Sequence, residues 1–210
     1  MRPLFIVGAG GLGREVLSYV RDIEGRGGVD WRFFGFLDDR EEPFGGRAVD
    51  AKRVGPVSGH VPEPDAVYVC AIGDGTTRVR IARQLESRGA SFINLVHPTA
   101  VIRERVTLGT GVLIAPFVRI NPDCEIGDQV ILNSSAALAH DVRIGEGTTL
   151  LGGNSINGNC TIGANVLLGA NCVIVPGRRI EDAAQVAAGA VVFRHVRAGQ
   201  TVIGNPARTI

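Results

Sequence analysis

The chain has 210 residues, with 22 Lys and Arg against 21 Asp and Glu, a formal net charge of +1 and no basic block. That balance argues against nucleic acid or an anionic membrane surface as the main partner, and the length allows one large or two modest domains. The apolar run Leu4–Val7 is too short for a signal-peptide core or a membrane span and predicts a strand.

Residues 1–95 alternate strand and helix patterns. "LFIVGAG" predicts a strand entering a glycine turn, and "REVLSYVRDIEGRG" a helix with a glycine exit. "RFFGFLDD" is a second strand ending in two acids, and "DAVYVCAIG" a third. "TTRVRIARQLESRG" is a helix opened by threonine and closed by Gly89, and "SFINLV" leads out. This β–α–β–β–α–β order predicts a small, Rossmann-like, mostly parallel α/β sheet.

At Val96 the rhythm changes. Stepping by six from Val96 to Val192, all 17 positions are Leu, Ile or Val. The next residue is often Gly, Asn or Ala, and the fourth on is mostly small. An α-helix cannot hold a period of six on one face, and a plain strand needs a period of two. A hexapeptide β-helix accommodates both features, with short strands as faces and turns as corners. Three hexads close a coil, so about five coils are expected over the run from Val96 to Val192. The tail "VVFRHVRAGQTVIGNPARTI" leaves the repeat, and Pro206 rules out a continuous central strand there.

Cys70, Cys124, Cys160 and Cys172 form no C-x-x-C pair, and the last three share one phase of the repeat. They read as core thiols of a cytoplasmic protein rather than as a zinc site or disulfide framework. No metal is expected. A metal-dependent lyase on a β-helix requires three gathered histidines, and besides His97 the repeat offers only His140.

Gly8-Ala9-Gly10-Gly11-Leu12-Gly13 matches G-x-G-x-x-G between a strand and a helix, a pattern that lets backbone and helix amides approach a phosphate. The α/β half holds one mononucleotide unit at most, which weighs against a dinucleotide oxidoreductase. His140, followed by Asp141, has a side chain suited to taking a proton near neutral pH. Neighbours on a strand face opposite ways, so the pair can cooperate only at a turn or across a subunit boundary.

The period-six run with its closing "IGNPAR" resembles the left-handed β-helix acyltransferases. With "IVGAGGLGREV", "GFLDD", "CAIGDGTTR" and "FINLVHPTAVI", the whole chain is similar to the nucleotide-sugar N-acetyltransferases of bacterial glycan pathways, including the bacillosamine-pathway enzyme, and to the sialic-acid O-acetyltransferases. The resemblance implies a 1–95 nucleotide-sugar-binding domain and a 96–210 acetyltransferase domain. It further implies a homotrimer, and acetyl-CoA as co-substrate in a groove between neighbouring β-helices. The expected reaction is acetyl transfer to the amine of a nucleotide-linked amino-deoxy sugar. O-acetylation of a sugar hydroxyl and a non-catalytic sugar-nucleotide scaffold are the alternatives.

By position, the resemblance puts the nucleotide sugar at Gly8, Gly10, Gly11, Leu12, Asp38, Asp39 and Gly73, with Leu12 standing where several relatives carry a polar residue. It makes His140 the general base, with Asp141 in place of a glutamate and Asn133 seven residues upstream. The backbone of Gly158 becomes the oxyanion donor, and Thr149, Ala170 and Ala188 the acetyl-CoA contacts. Arg178, Arg179 and Arg194 read as solvated charges, and His97 as structural.

Overall fold

The computed structural model describes residues 1–210. Its N-terminal part has five parallel strands in the order β3-β2-β1-β4-β5: β1 (Arg2–Val7), β2 (Trp31–Leu37), β3 (Arg53–Gly55), β4 (Val67–Cys70) and β5 (Ser91–Phe92). Leu4–Val7 and Val67–Cys70 are buried throughout, as strands covered on both faces must be. Helix α1 (Gly11–Arg26) buries Val16, Leu17, Val20 and Ile23 on one stripe, and α2 (Gly75–Glu86) buries Val79, Ala82 and Leu85.

Three local features differ from the sequence expectation. The opener of α2 is Asp74, whose carboxylate accepts the Thr77 N–H at 2.8 Å, and not a threonine. Helix α1 takes in Gly11–Gly13, because Gly13 packs directly on the Gly8 carbonyl. Strand β3 was not expected, since "RVG" carries no alternation and pairs only with the sheet edge.

Seventeen two-residue strands then run from Leu95–Val96 to Val191–Val192 and stack in three parallel sheets. Partners are 18 residues apart, as in Arg119↔Ala137↔Ser155, so three strands make a coil of a parallel β-helix. The second residue of each strand is the period-six aliphatic. From Ile114 to Val192 these residues are buried and join Cys124, Cys160 and Cys172 in one core of 27 residues. Ile102 and Leu108 are less covered, because nothing stacks beneath the first coil. Every sixth residue from Arg105 to Gly189 has a positive φ and turns a corner. Thr201–Ile203 and Arg208–Thr209 extend one sheet as an antiparallel hairpin around the turn that holds Pro206.

The α/β part sits on one face of the β-helix. Outward-facing Leu95, Leu113 and Ile131 share a core with Leu4, Val16, Leu17 and Tyr19. At that junction His97 is buried, its Nδ1 2.8 Å from Thr99 Oγ1 and its Nε2 3.2 Å from Asp22. No helix is long and apolar enough to cross a membrane.

Candidate active site

Two features carry chemistry. The first is a cleft of about 430 Å³ at the carboxyl ends of β1, β2 and β4, the place where open parallel sheets bind ligands. It gathers Gly8, Gly10, Gly11, Leu12, Asp38, Asp39 and Gly73 from three separate loops. Gly11 starts α1, and Gly10 caps that helix without a side chain, so the first amides of the helix open toward the cleft.

Asp38 is buried and committed to the protein. Its carboxylate accepts the Ala9 N–H at 2.9 Å and the Arg40 N–H at 3.0 Å, and pairs with the Arg40 guanidinium at 2.8 and 2.9 Å. Burial alone pushes this carboxyl upward, but the hydrogen bonds from Arg40 and from the Ala9 amide outweigh it and hold the group at about 2. Asp39 is exposed and accepts the Ser58 N–H at 2.9 Å. Thus both acids first serve to shape the cleft. Arg40 was not anticipated. It stands over the glycine turn, with Nη2 3.6 Å from where a Cβ on Gly10 would be, and its side chain is 60% exposed. A cation directly after two acids was the legible signal.

The second feature is a β-helix corner. His140 and Asp141 form the turn between strands Ala137–Leu138 and Arg143–Ile144, and the positive φ of Asp141 lets the two side chains meet. Nδ1 of His140 lies 2.6 Å from Asp141 Oδ2, and both side chains are more than half exposed. A carboxylate only accepts, so Nδ1–H donates to it and Nε2, which has no hydrogen-bond partner within the chain, keeps its lone pair. One coil on, Gly158 supports the ring. A Cβ there would stand 2.7 Å from Cε1 and 2.8 Å from Nε2, so any side chain would displace the imidazole. The Gly158 N–H makes no hydrogen bond within the chain.

The remaining predicted positions scatter. Asn133 lies before a different corner, at the opposite edge of the face that leads to His140. Ala170 is part-exposed and Ala188 exposed, one coil apart on that same Asn133 corner. Thr149 is buried; its hydroxyl donates to the Gly73 carbonyl at 3.1 Å and accepts from Arg78 at 3.0 Å. That hydroxyl is therefore engaged where the two halves of the chain meet. Arg78 itself escaped notice, although an arginine in register with Ala82 and Leu85 on the apolar stripe of α2 was the available sign.

The PglD N-terminal domain family matches residues 3–85, and the bacterial transferase hexapeptide family (six repeats) matches residues 159–194. A crystal structure of PerB from Caulobacter crescentus, in complex with CoA and GDP-perosamine, superposes with a TM-score of 0.88 at 30% identity, covering 100% of this chain and 98% of that one. The chain belongs to this family of hexapeptide-repeat sugar acetyltransferases. The acetyltransferase domain of PglB from Neisseria gonorrhoeae, in complex with acetyl coenzyme A, has a TM-score of 0.89 at 25% identity over 100% of this chain and 99% of that one. The GDP-perosamine N-acetyltransferase of Escherichia coli is 33% identical over 139 residues, 65% of this chain and 61% of the relative, so the match spans less than two thirds of that curated protein. In this chain the residues matched by the PglD N-terminal domain family contain the whole lining of the glycine cleft, and the matched repeats begin directly after Gly158.

Proposed function

We propose that the protein transfers acetyl from acetyl-CoA to the amino group of a nucleotide-activated amino-deoxy sugar, directly, within a ternary complex. The observation that carries this reading is the His140–Asp141 pair, 2.6 Å apart on an open corner and seated on Gly158. A sugar amine is largely ammonium near pH 7, so it must lose a proton in order to attack. The ammonium gives its extra proton to solvent; as the neutral amine attacks and the new C–N bond forms, Nε2 of His140 takes a further N–H proton, and Asp141 fixes the tautomer and pairs with the imidazolium. Charge develops on the thioester oxygen, and the free Gly158 N–H is the donor for it. Collapse breaks the C–S bond, and the imidazolium returns its proton to the departing thiolate of CoA.

An acyl-enzyme is not part of the scheme. All four cysteines are buried, burial raises each thiol, and Cys70 is pushed up to about 12. Buried free thiols also suit a reducing, cytoplasmic setting. The cleft takes the nucleotide, with the glycine-turn amides and Arg40 facing the diphosphate. Ala170 and Ala188 leave room for the pantetheine arm; Thr149 is left out because its hydroxyl is already engaged.

The site is completed in a homotrimer. Of the three β-helix faces, one is covered by the α/β part and one carries Glu125, Arg143 and Arg179. The third presents Val101, Arg119, Ala137, Ser155, Val173 and Val191 and ends at the His140 corner. Packing between copies on this mostly small, apolar face brings one chain's Asn133 edge to another chain's His140.

The test replaces His140 with Ala and follows acetylation of GDP-perosamine together with CoA binding. Turnover is expected to fall about 100-fold or more with CoA affinity retained. Undiminished turnover in the variant would remove His140 as the base.

A further inference from the structure

Arg78 is fully buried in α2, yet none of the chain's ion pairs includes it. Buried guanidinium groups normally pair with a carboxylate. Here the charge is met by neutral oxygens from both halves of the molecule. On the cleft side, Nη1 donates to the carbonyls of Ile72 at 2.7 Å and Gly73 at 3.1 Å. On the β-helix side, Nε donates to the Gln129 carbonyl at 2.7 Å, and Nη2 to the Gly147 carbonyl at 2.7 Å and to Thr149 Oγ1 at 3.0 Å.

These acceptors are well placed to transmit position. Ile72 and Gly73 form one wall of the glycine cleft. Gly147 turns the corner at the far end of strand Arg143–Ile144, and the near end of that strand carries His140–Asp141. The chain path from the cleft wall to the imidazole is therefore one guanidinium and one strand long. The contact is also tight. Gly75, at the start of α2, lies so close to the Gly147 carbonyl that a Cβ would overlap it, and Arg83 pairs with Glu146 at 2.7 Å on the rim.

We infer that Arg78 is a positioning residue: it fixes the nucleotide cleft in the frame of the β-helix, so that a sugar held in the cleft meets the His140 corner in register. This rests on the acetyltransferase reading. A lysine keeps the charge but gathers its donors on one nitrogen, and so cannot span acceptors on both sides. Thr149 supplies a second probe, because its hydroxyl touches both Arg78 and Gly73.

The experiment compares wild type, Arg78→Lys and Thr149→Val. It measures thermal unfolding, GDP and CoA dissociation constants, kcat and KM with GDP-perosamine, and backbone hydrogen exchange at 72–73 and 147–149. Arg78→Lys is expected to stay folded, to bind GDP and CoA within about threefold of wild type, and to lose kcat by about 10-fold or more, since small misplacements of reacting groups cost that much. Thr149→Val should move kcat the same way by about threefold, and exchange should accelerate on both sides of the contact. The inference is overturned if Arg78→Lys lowers the melting temperature while kcat and KM stand. It is equally overturned if GDP binding is lost while kcat at saturation is unchanged. Should Arg78→Lys not fold, Thr149→Val decides, and an unchanged kcat there rejects positioning. A wild-type protein that transfers no acetyl group refutes the proposed function instead; the exchange data still test the clasp, and unchanged exchange at both segments refutes it.

Discussion

Asp38 and Asp39 follow each other at the end of β2, and their environments give them different tasks. Asp38 is buried under hydrogen bonds that hold it near 2, below its ordinary 3.8. A carboxyl depressed on folding contributes stability that is complete above its unfolded pKa and is lost as pH falls through the folded one. The window is therefore from about pH 4 down to about 2, and the size about 2 kcal/mol. Asp38→Asn is expected to lower stability at pH 7 by about that amount and to flatten the acid limb of a denaturation series measured between pH 5 and pH 2. An unchanged acid limb would show that Arg40 and the Ala9 amide do not discriminate the ionised form. At this scale the sequence announced two acids after a strand, and it also announced His140 beside Asp141. It could not announce that Asp38 would turn inward to the glycine loop, because that depends on where β1 and β2 lie side by side.

At the scale of elements, the hexad is the clearest feature of the chain. A period of six with aliphatic ladders admits few geometries, and the stacked strands place those ladders inward as the spacing predicts. The corners were less legible. Fifteen corner positions, one every sixth residue from Arg105 to Gly189, take a positive φ, and ten of them are Gly, Asn or Asp, residues that tolerate it. The others, Arg105, Phe117, Gln129, Ser135 and Ala183, are held there by the stack. Ala183 is exposed, and its corner hydrogen bond, Ala183 N–H to the Ala164 carbonyl at 2.8 Å, survives loss of the side chain. Ala183→Gly should therefore relieve strain and stabilise by about 0.5–1 kcal/mol, visible as a melting temperature raised by about 1–4 °C. A lower melting temperature would mean that the corner is not strained. In the α/β half, strand β3 and the Asp74 cap were missed for opposite reasons: one has no pattern to read, and the other depends on a single side chain folding back on Thr77.

For the whole molecule, function depends on how rigid pieces are joined. Arg78 ties the cleft to the β-helix within a chain, and the mostly apolar face bearing Val173 is proposed to tie chains to one another. Val173→Glu places a charge in the middle of that face while leaving the inward ladder intact. It is expected to yield monomers by light scattering, with unchanged circular dichroism and GDP binding, and to lower turnover about 10-fold or more. A fully active trimer carrying Glu at 173 would show that this face is not the interface.

Read alone, the sequence determined the two-part architecture, the inward ladder, the glycine turn and the histidine–acid pair, because each is written in spacing or in adjacent residues. The tertiary structure decided which of these meet. Seven cleft residues converge from three loops, His140 rests on a glycine eighteen positions away, and a buried arginine joins halves that the sequence presents in series. Such contacts are set by the stacking of coils and the docking of one surface on another. Local patterning carries no record of them, because the partners acquire a distance only when the chain has folded.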